Sequence, residues 1–381
     1  MNSTAIGLGV WHSGLTLSLA LIFVGATSAA AQPVAPPEAA AQTITPVPQT
    51  PEGRAAEERA QAHPAEPDWF LEPSYAAPMF GSKSAGAQGK PVVEIQSFHH
   101  VPMFPRQNSD RYQNWIGVPN NEQRARNRFA LTLGTIIRGH DGPSVPIQTP
   151  SVIFAGRGQR MYHRRRGDVS TIRVYEVGVY HHSNGQDGCT FTDQQRIDDE
   201  CRPALEPAPD NWTVNTKDGS FGVNYLSGKV GWSRRTLDPA ITTGGSQEVR
   251  TAHNLHVEYR RYVTFIPGGS GIKQIAKRFG RNEIEVQWQW EVPSWPAFSR
   301  LRHYQLTARG WRRFGSDANG AGAISGEVAW LGFAGGLAGP FVRLYRGSDY
   351  YNIRFEEERR HIMVGLKWDR PRMARIPAAV K

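Results

Sequence analysis

Apolar and polar residues alternate with a period of two through most of this chain, and that pattern narrows the fold more than any other feature. Segment 283–292 places Ile284, Val286, Trp288, Trp290 and Val292 on one face and Glu283, Glu285, Gln287, Gln289 and Glu291 on the other. Segment 254–260 sets Leu255, Val257 and Tyr259 against Asn254, His256, Glu258 and Arg260. The same spacing recurs at Phe129, Leu131, Leu133 and Ile137, and again at Ile362, Val364, Leu366 and Trp368. Successive side chains of a strand point to opposite faces, whereas a helix needs apolar residues at steps of three and four, which these segments lack. The pattern is that of an all-β chain.

A soluble sandwich alternates as well, so the chemistry of the two faces has to decide. The polar faces mix Glu, Gln, His and Arg, as suits side chains that hydrogen-bond across a filled lumen. The apolar faces end in Trp and Tyr, which suit membrane-interface girdles. Together they predict a closed antiparallel transmembrane β-barrel. The apolar fraction is only 39%, as expected where just alternate strand residues meet lipid. Further strands are expected at 151–156, 171–183, 220–233, 300–309, 324–333 and 339–347, with Val92 to Ser97 as one more. The total is about ten to twelve, an even number in bacterial barrels. Stretches 184–219 and 310–320 read as loops. His163-Arg164-Arg165-Arg166 reads as a solvated turn, with phosphate binding as the sharper alternative.

Leu15 to Ala26 form an apolar run that ends in Thr27, Ser28, Ala29, Ala30 and Ala31. This is the layout of a secretory signal cut before Gln32, although no Lys or Arg precedes the run, and an uncleaved anchor is the alternative. Residues 1–31 are expected to be a signal peptide, 32–89 a disordered Ala/Pro-rich arm, 90–369 the barrel and 370–381 a C-terminal tail. Beyond the leader no run approaches the roughly 18–20 apolar residues of a membrane helix. The formal charge of +10 favours anionic partners. Export points to acidic lipid headgroups over nucleic acid, so no nucleic-acid partner is expected. Cys189 and Cys201 read as one disulfide in an exported chain, with two free thiols as the alternative. Two cysteines without clustered histidines argue against structural zinc.

The stretch with chemistry in it is Gly178-Val179-Tyr180-His181-His182-Ser183-Asn184-Gly185. On a strand, His181 and Ser183 share a face with Tyr175, Val177 and Val179, the apolar and lipid-facing side. Polar groups there are costly unless they have work to do or lie at the interface. A serine beside a histidine is the minimum for an activated hydroxyl, provided a third group fixes the imidazole. In segment 220–233, Asn224 shares the apolar face with Leu226, Val230 and Trp232. A neighbouring antiparallel strand would set it beside His181, where its amide oxygen could accept Nδ1–H. An uncharged orienter suits a membrane wall, in which a lone carboxylate is expensive.

These residues resemble the outer-membrane phospholipase A family. Its strand motif, a histidine, one variable residue and Ser-Asn-Gly, is matched by His181 to Gly185. Its next strand carries a serine, three residues and an asparagine, matched by Ser220-Phe221-Gly222-Val223-Asn224. Arg128 to Leu133 is similar to the family's early strand and Tyr345 to Leu366 to its final strand pair. The resemblance spans about 120–369 and is patchy between 235 and 340. It implies calcium-assisted hydrolysis of phospholipid acyl esters in the bacterial outer membrane, controlled by homodimerisation. Ser183 would be the nucleophile, His181 the general base and Asn224 its orienter. The carbonyl of Gln186 and the side chain of Ser220 would be Ca2+ ligands.

The chain departs from the family in four places, one being the span between Gly139 and Thr171, which is too short for every family strand. Gln186 stands where the family commonly has Arg. The loop from Gln186 to Gly219 is much longer and carries both cysteines with Asp187, Asp193, Asp198, Asp199 and Glu200. Those acids read as a solvated loop, with calcium binding as the alternative. The chain also ends in Arg370 to Lys381 rather than in an aromatic barrel terminus. Rival readings are a lipid A deacylase, a non-catalytic barrel acting as channel or scaffold, and a soluble periplasmic binding protein.

Overall fold

The structure, a computed structural model, describes residues 72–81, 91–103, 123–140, 147–197, 200–201, 209, 211–243, 246–264, 275, 278–293, 303–315, 321–331, 338–351, 354–368 and 376–377. The expected signal peptide lies outside the described residues, as does most of the arm and tail.

The chain runs through β1 (Ser74–Phe80), β2 (Pro91–Pro102), β3 (Gln123–His140), β4 (Ile147–Arg166) and β5 (Val169–Ser183). A two-residue ribbon, β6 (Arg196–Ile197) and β7 (Glu200–Cys201), sits in the following loop. Then come β8 (Gly222–Thr243), β9 (Ser246–Val263), β10 (Asn282–Pro293) and β11 (His303–Phe314). The last are β12 (Gly322–Leu331), β13 (Ala338–Ser348), β14 (Glu358–Trp368) and β15 (Ile376–Pro377). Each long strand pairs antiparallel with its chain neighbour, β1 pairs with β14, and the result is a closed 12-strand barrel. β15, within the expected tail, adds two residues against β9.

The two faces divide as the alternation requires. Outward, Val177 is 70% and Ile324 64% exposed, and Leu255, Val257, Ile284, Val286, Ile362, Val364 and Leu366 join them. Inward, Glu258, Glu283, Glu285, Gln289 and Glu291 are buried. An apolar belt on this scale is untenable in water, so it faces lipid, and the protein is a barrel of the bacterial outer membrane.

Buried lumen charges need partners, and they have them. Arg138 bonds Glu94 at 2.5 Å and Asp349 at 2.7 Å. Arg157 bonds Glu176 at 2.8 Å and Glu72 at 2.7 Å, and Lys367 bonds Glu327 at 2.6 Å. At the long-loop end, Phe191, Val214, Phe221, Ile275, Phe279 and Phe355 pack with Tyr180, Tyr225 and Tyr262 across the mouth. The lumen retains a cavity of about 190 Å³, which is a packed interior with a gap rather than the wide aqueous channel of large porins.

Three boundaries differ from expectation. The barrel begins at Ser74 instead of near Lys90. β1 reads Ser-Tyr-Ala-Ala-Pro-Met-Phe; Tyr75 and Met79 point inward, and of the outward row Ser74, Ala76, Pro78 and Phe80 only Phe80 is large, so the segment passes for arm. His163 to Arg166 end β4 and are not the turn, which is Gly167-Asp168, with Gly167 at φ 57°. Residues 310–314 belong to β11, not to a loop. Arg313 there is turned inward onto Glu283 at 2.7 Å, a lumen-facing arginine whose charge in the sequence resembles that of a solvated loop residue.

Candidate active site

β5 and β8 pair in a register that sets His181 opposite Asn224 and Ser183 opposite Gly222. Directly opposed residues share a face, with Cβ atoms about 5 Å apart. His181 Nδ1 and Asn224 Oδ1 lie 2.8 Å apart. An amide oxygen can only accept, so this contact puts the proton on Nδ1 and leaves Nε2 as the basic nitrogen. Tyr175, Val177 and Val179, on the same face of β5, are exposed. His181 and Ser183 therefore stand on the outer wall, at the long-loop edge of the lipid-facing belt. Asn224 is 1% exposed, closely packed although it faces the same way.

Ser183 neighbours His181 along the strand face, but among the described residues its hydroxyl makes no hydrogen bond to the imidazole. Catalytic hydrogen bonds are often open without substrate and close around it. What holds the strand ends together is Asn184, which turns away from lipid. Its Nδ2 donates to the Gly219 carbonyl at 2.8 Å and its Oδ1 accepts from Phe221 N at 2.9 Å. Asn184 N donates to the Phe221 carbonyl at 3.1 Å. Gly185 follows at φ 65°, a left-handed conformation that glycine adopts without strain.

Beyond this clamp the described residues of the loop make further contacts. Gly188 meets Gly219 in a bridge, and a Cβ on Gly188 would lie 2.2 Å from the Asp218 carbonyl oxygen, so only glycine fits. Phe191 bridges Val214, and Cys189 and Cys201 form the expected disulfide. Asp193 accepts from Thr213 N at 2.7 Å, a structural use for one of the loop acids. Asp198 and Asp199 lie outside the described residues.

The two expected calcium ligands, Gln186 and Ser220, flank this clamp. Ser220 N donates to the Gly188 carbonyl at 2.7 Å, and the Ser220 carbonyl accepts from Thr190 Oγ1 at 3.1 Å. Its hydroxyl is uncommitted among the described residues. A serine hydroxyl and a backbone carbonyl are the hard oxygens calcium prefers, but the ion takes six to eight. Among the described residues no cluster of three His, Cys, Asp or Glu could hold a metal. The set fits the ion in kind, and waters or a second copy must make up the number.

Comparison with known protein families returns no match, and neither does comparison with curated proteins. Solved barrels do match. Outer membrane phospholipase A from Escherichia coli aligns with 78% of this chain and 92% of its own at 11% identity, with a TM-score of 0.43. The calcium-bound phospholipase dimer from Salmonella typhi gives 0.43 at 12% identity, covering 81% and 96%. The translocator domain of the autotransporter NalP from Neisseria meningitidis gives 0.32 at 9%, covering 83% and 95%. Such distant likenesses say nothing about chemistry.

A second Ser–His contact, absent from the sequence reading, lies across the wall from the first. His182 Nε2 meets Ser151 Oγ on the lumen side, with Phe221 edge-on to the ring at 5.2 Å. Tyr180 and Tyr225 stack at 4.6 Å beside it. This pair is walled off from lipid by the sheet. The period of two already separated His182 from His181. Its partner Ser151 falls within the expected strand 151–156, but the sequence does not give the β4–β5 register, with Ile153 opposite His182, that brings the two together.

Proposed function

We propose that this barrel hydrolyses acyl esters of membrane phospholipids at the outer wall, with Ser183 as nucleophile, His181 as general base and Asn224 as positioning residue. The observation that carries the reading is the 2.8 Å contact between His181 Nδ1 and Asn224 Oδ1 on the lipid-facing side. A neutral residue fixes the tautomer there, and a serine stands two positions along the same face. Ser183 Oγ attacks the acyl carbonyl as His181 Nε2 takes its proton. The imidazolium returns that proton to the departing lysolipid oxygen, and water then releases the fatty acid by the same exchange. Lipid acyl chains can reach this site without leaving the membrane, because it sits at the edge of the apolar belt.

Gln186 and Ser220 would hold a calcium ion, which supplies electrophilic stabilisation of the oxyanion. Because this chain offers few oxygen ligands, a homodimer that contributes more is part of the proposal. The test is release of fatty acid from phospholipid by refolded protein in detergent with calcium. Activity that vanishes in Ser183→Ala supports the reading, and activity unaffected by that change ends it. Lipopolysaccharide offered in parallel separates a lipid A deacylase by its product. A non-catalytic wall is the second reading, favoured by the open Ser183–His181 geometry. It predicts no hydrolysis of either lipid. A channel is opposed by the ion-paired lumen and its plugged mouth.

A further inference from the structure

A basic cluster occupies the outer wall at the other end of the same strands. Arg160 and Arg164 of β4, Arg173 of β5 and Arg234 of β8 are exposed and lie on the outward rows. Arg164, Thr171 and Arg234 form one cross-strand row, and Tyr162, Arg173 and Trp232 the next. Arg160 opposes Tyr175 in the row beyond. Arg173 is thus diagonal to the other three arginines, at about 7–8 Å between Cβ atoms, within reach of long side chains.

Among the described residues nothing neutralises these charges. Among the described residues none of the four forms an ion pair. Their outward neighbours are Asn127 and Ala125 on β3 and His253 and Leu255 on β9. Glu176 and Glu258 of these strands are turned into the lumen, and Asp168 of the turn is exposed and unpaired with them. Like charges adjacent on a sheet repel, and an anion from outside relieves that repulsion. Aromatic rings are interleaved with it. The Arg160 guanidinium lies 5.3 Å from the Tyr162 ring, Tyr162 meets Tyr175 at 5.9 Å, and Trp232 is exposed beside Arg173.

The level in the membrane follows from β5. Arg173 and His181 bracket the exposed Tyr175, Val177 and Val179. Eight residues of strand measure roughly 27 Å along the chain, which at a tilt of about 35–45° spans roughly 19–22 Å across the membrane, a little less than the roughly 25 Å apolar band and within reach of an arginine side chain extending to its edge. The cluster lies at the end with the tight Gly167-Asp168 turn, and short turns face the periplasm. We infer that Arg160, Arg164, Arg173 and Arg234 bind the phosphate headgroups of anionic phospholipids in the periplasmic leaflet, with Tyr162, Tyr175 and Trp232 lodged at the interface.

The test uses refolded full-length protein in vesicles of ether-linked phosphatidylcholine, which acyl hydrolysis cannot touch, so the result is independent of the proposed activity. A trace of ether-linked phosphatidylglycerol with a photoactivatable group beside its phosphate is added, and crosslinked peptides are mapped by mass spectrometry. Each juxtamembrane arginine strengthens binding to an anionic surface by roughly fivefold. Labelling should therefore concentrate in segments 159–175 and 228–236, at least about fivefold above an identically tagged phosphatidylcholine. It should fall by at least that factor in Arg160→Gln/Arg164→Gln/Arg173→Gln/Arg234→Gln, and in 0.5 M salt for the unaltered chain. The single variants Arg173→Gln and Arg234→Gln serve if the fourfold variant does not refold. Equal labelling by the two lipids, or labelling unchanged in the variants, overturns the inference. So does competition by inorganic phosphate beyond that of other salts at equal ionic strength, which would mark a site for free phosphate.

Discussion

Replacing Asn224 by alanine takes away the acceptor of His181 Nδ1 while the β5–β8 register stays held by backbone pairing on both sides of it. The size of the effect follows from where the contact lies. A net hydrogen bond between neutral groups contributes about 0.5–1.5 kcal/mol, whereas a donor left buried without an acceptor costs about 1–3 kcal/mol. Asn224 is 1% exposed, so water does not readily replace its oxygen, and the upper range applies. The loss falls on the transition state, where the imidazole carries charge. About 2–3 kcal/mol corresponds to a kcat roughly 30- to 160-fold lower, with KM little changed because the amide does not touch substrate. The assay is hydrolysis of dispersed phospholipid by refolded protein, with kcat and KM separated and folding checked by heat-modifiable migration. Asn224→Asp restores an acceptor and should recover part of the rate while lowering barrel stability. If Asn224→Ala keeps a rate within about twofold of the parent while Ser183→Ala is inactive, the amide does not orient the base and the argument from geometry fails.

Other consequences can be checked separately. Ser220→Ala should raise the calcium concentration needed for half-maximal hydrolysis about tenfold or more and leave the saturated rate closer to normal, since one of few protein oxygens is lost; an unchanged calcium titration would remove Ser220 from the ion's shell. Burial alone would raise the Asp349 carboxyl, but Arg138 at 2.7 Å, Arg359 at 3.1 Å and the Tyr351 N–H hold it below the usual range. A depressed carboxyl stabilises the fold fully above its unfolded value of about 3.9 and loses that contribution as pH falls through the folded value. Urea unfolding should weaken below about pH 4, and Asp349→Asn should flatten that part of the profile. Cys189→Ser/Cys201→Ser should leave the barrel's unfolding midpoint in place and speed proteolysis of the 184–221 loop by roughly tenfold or more, because a short crosslinked loop restrains only itself; equal cleavage rates would show that the clamp at Asn184 suffices.

How much of this is legible in the sequence depends on which face of a strand carries the signal. Where large apolar residues occupy the outward row, as in β9, β10 and β14, the period of two gave both the strand and its orientation. β1 was missed because its bulk points inward and its outward row includes small or short residues. The end of β4 and residues 310–314 of β11 were misjudged for the opposite reason. Arginine reads as solvent-facing, yet Arg313 fills the lumen beside Glu283, and Arg164 sits on the outer wall past the apolar belt. A polar residue in a barrel has three destinations, namely lumen, interface and loop, and alternation alone separates only the first from the other two.

The candidate site was legible for a related reason. His181 and Ser183 break an outward row that is otherwise Tyr175, Val177 and Val179, and Asn224 breaks one that continues as Leu226, Val230 and Trp232. Polar groups at such positions stand out against lipid-facing neighbours in a way that His182, on the lumen row among other polar groups, does not. Register is what makes them meet. A slip of one residue between β5 and β8 would turn every partner to the other face, and a slip of two would put the His181 imidazole opposite Gly222 or Leu226 in place of Asn224. The clamp by Asn184 on Gly219 and Phe221 forbids both slips at the strand ends. Asn184→Ala should therefore weaken hydrolysis without touching any reacting group, and Asn184→Asp, which keeps the acceptor for Phe221 N, should weaken it less. Equal activity of both variants with the parent would mean that pairing along β5 and β8 alone holds His181 against Asn224.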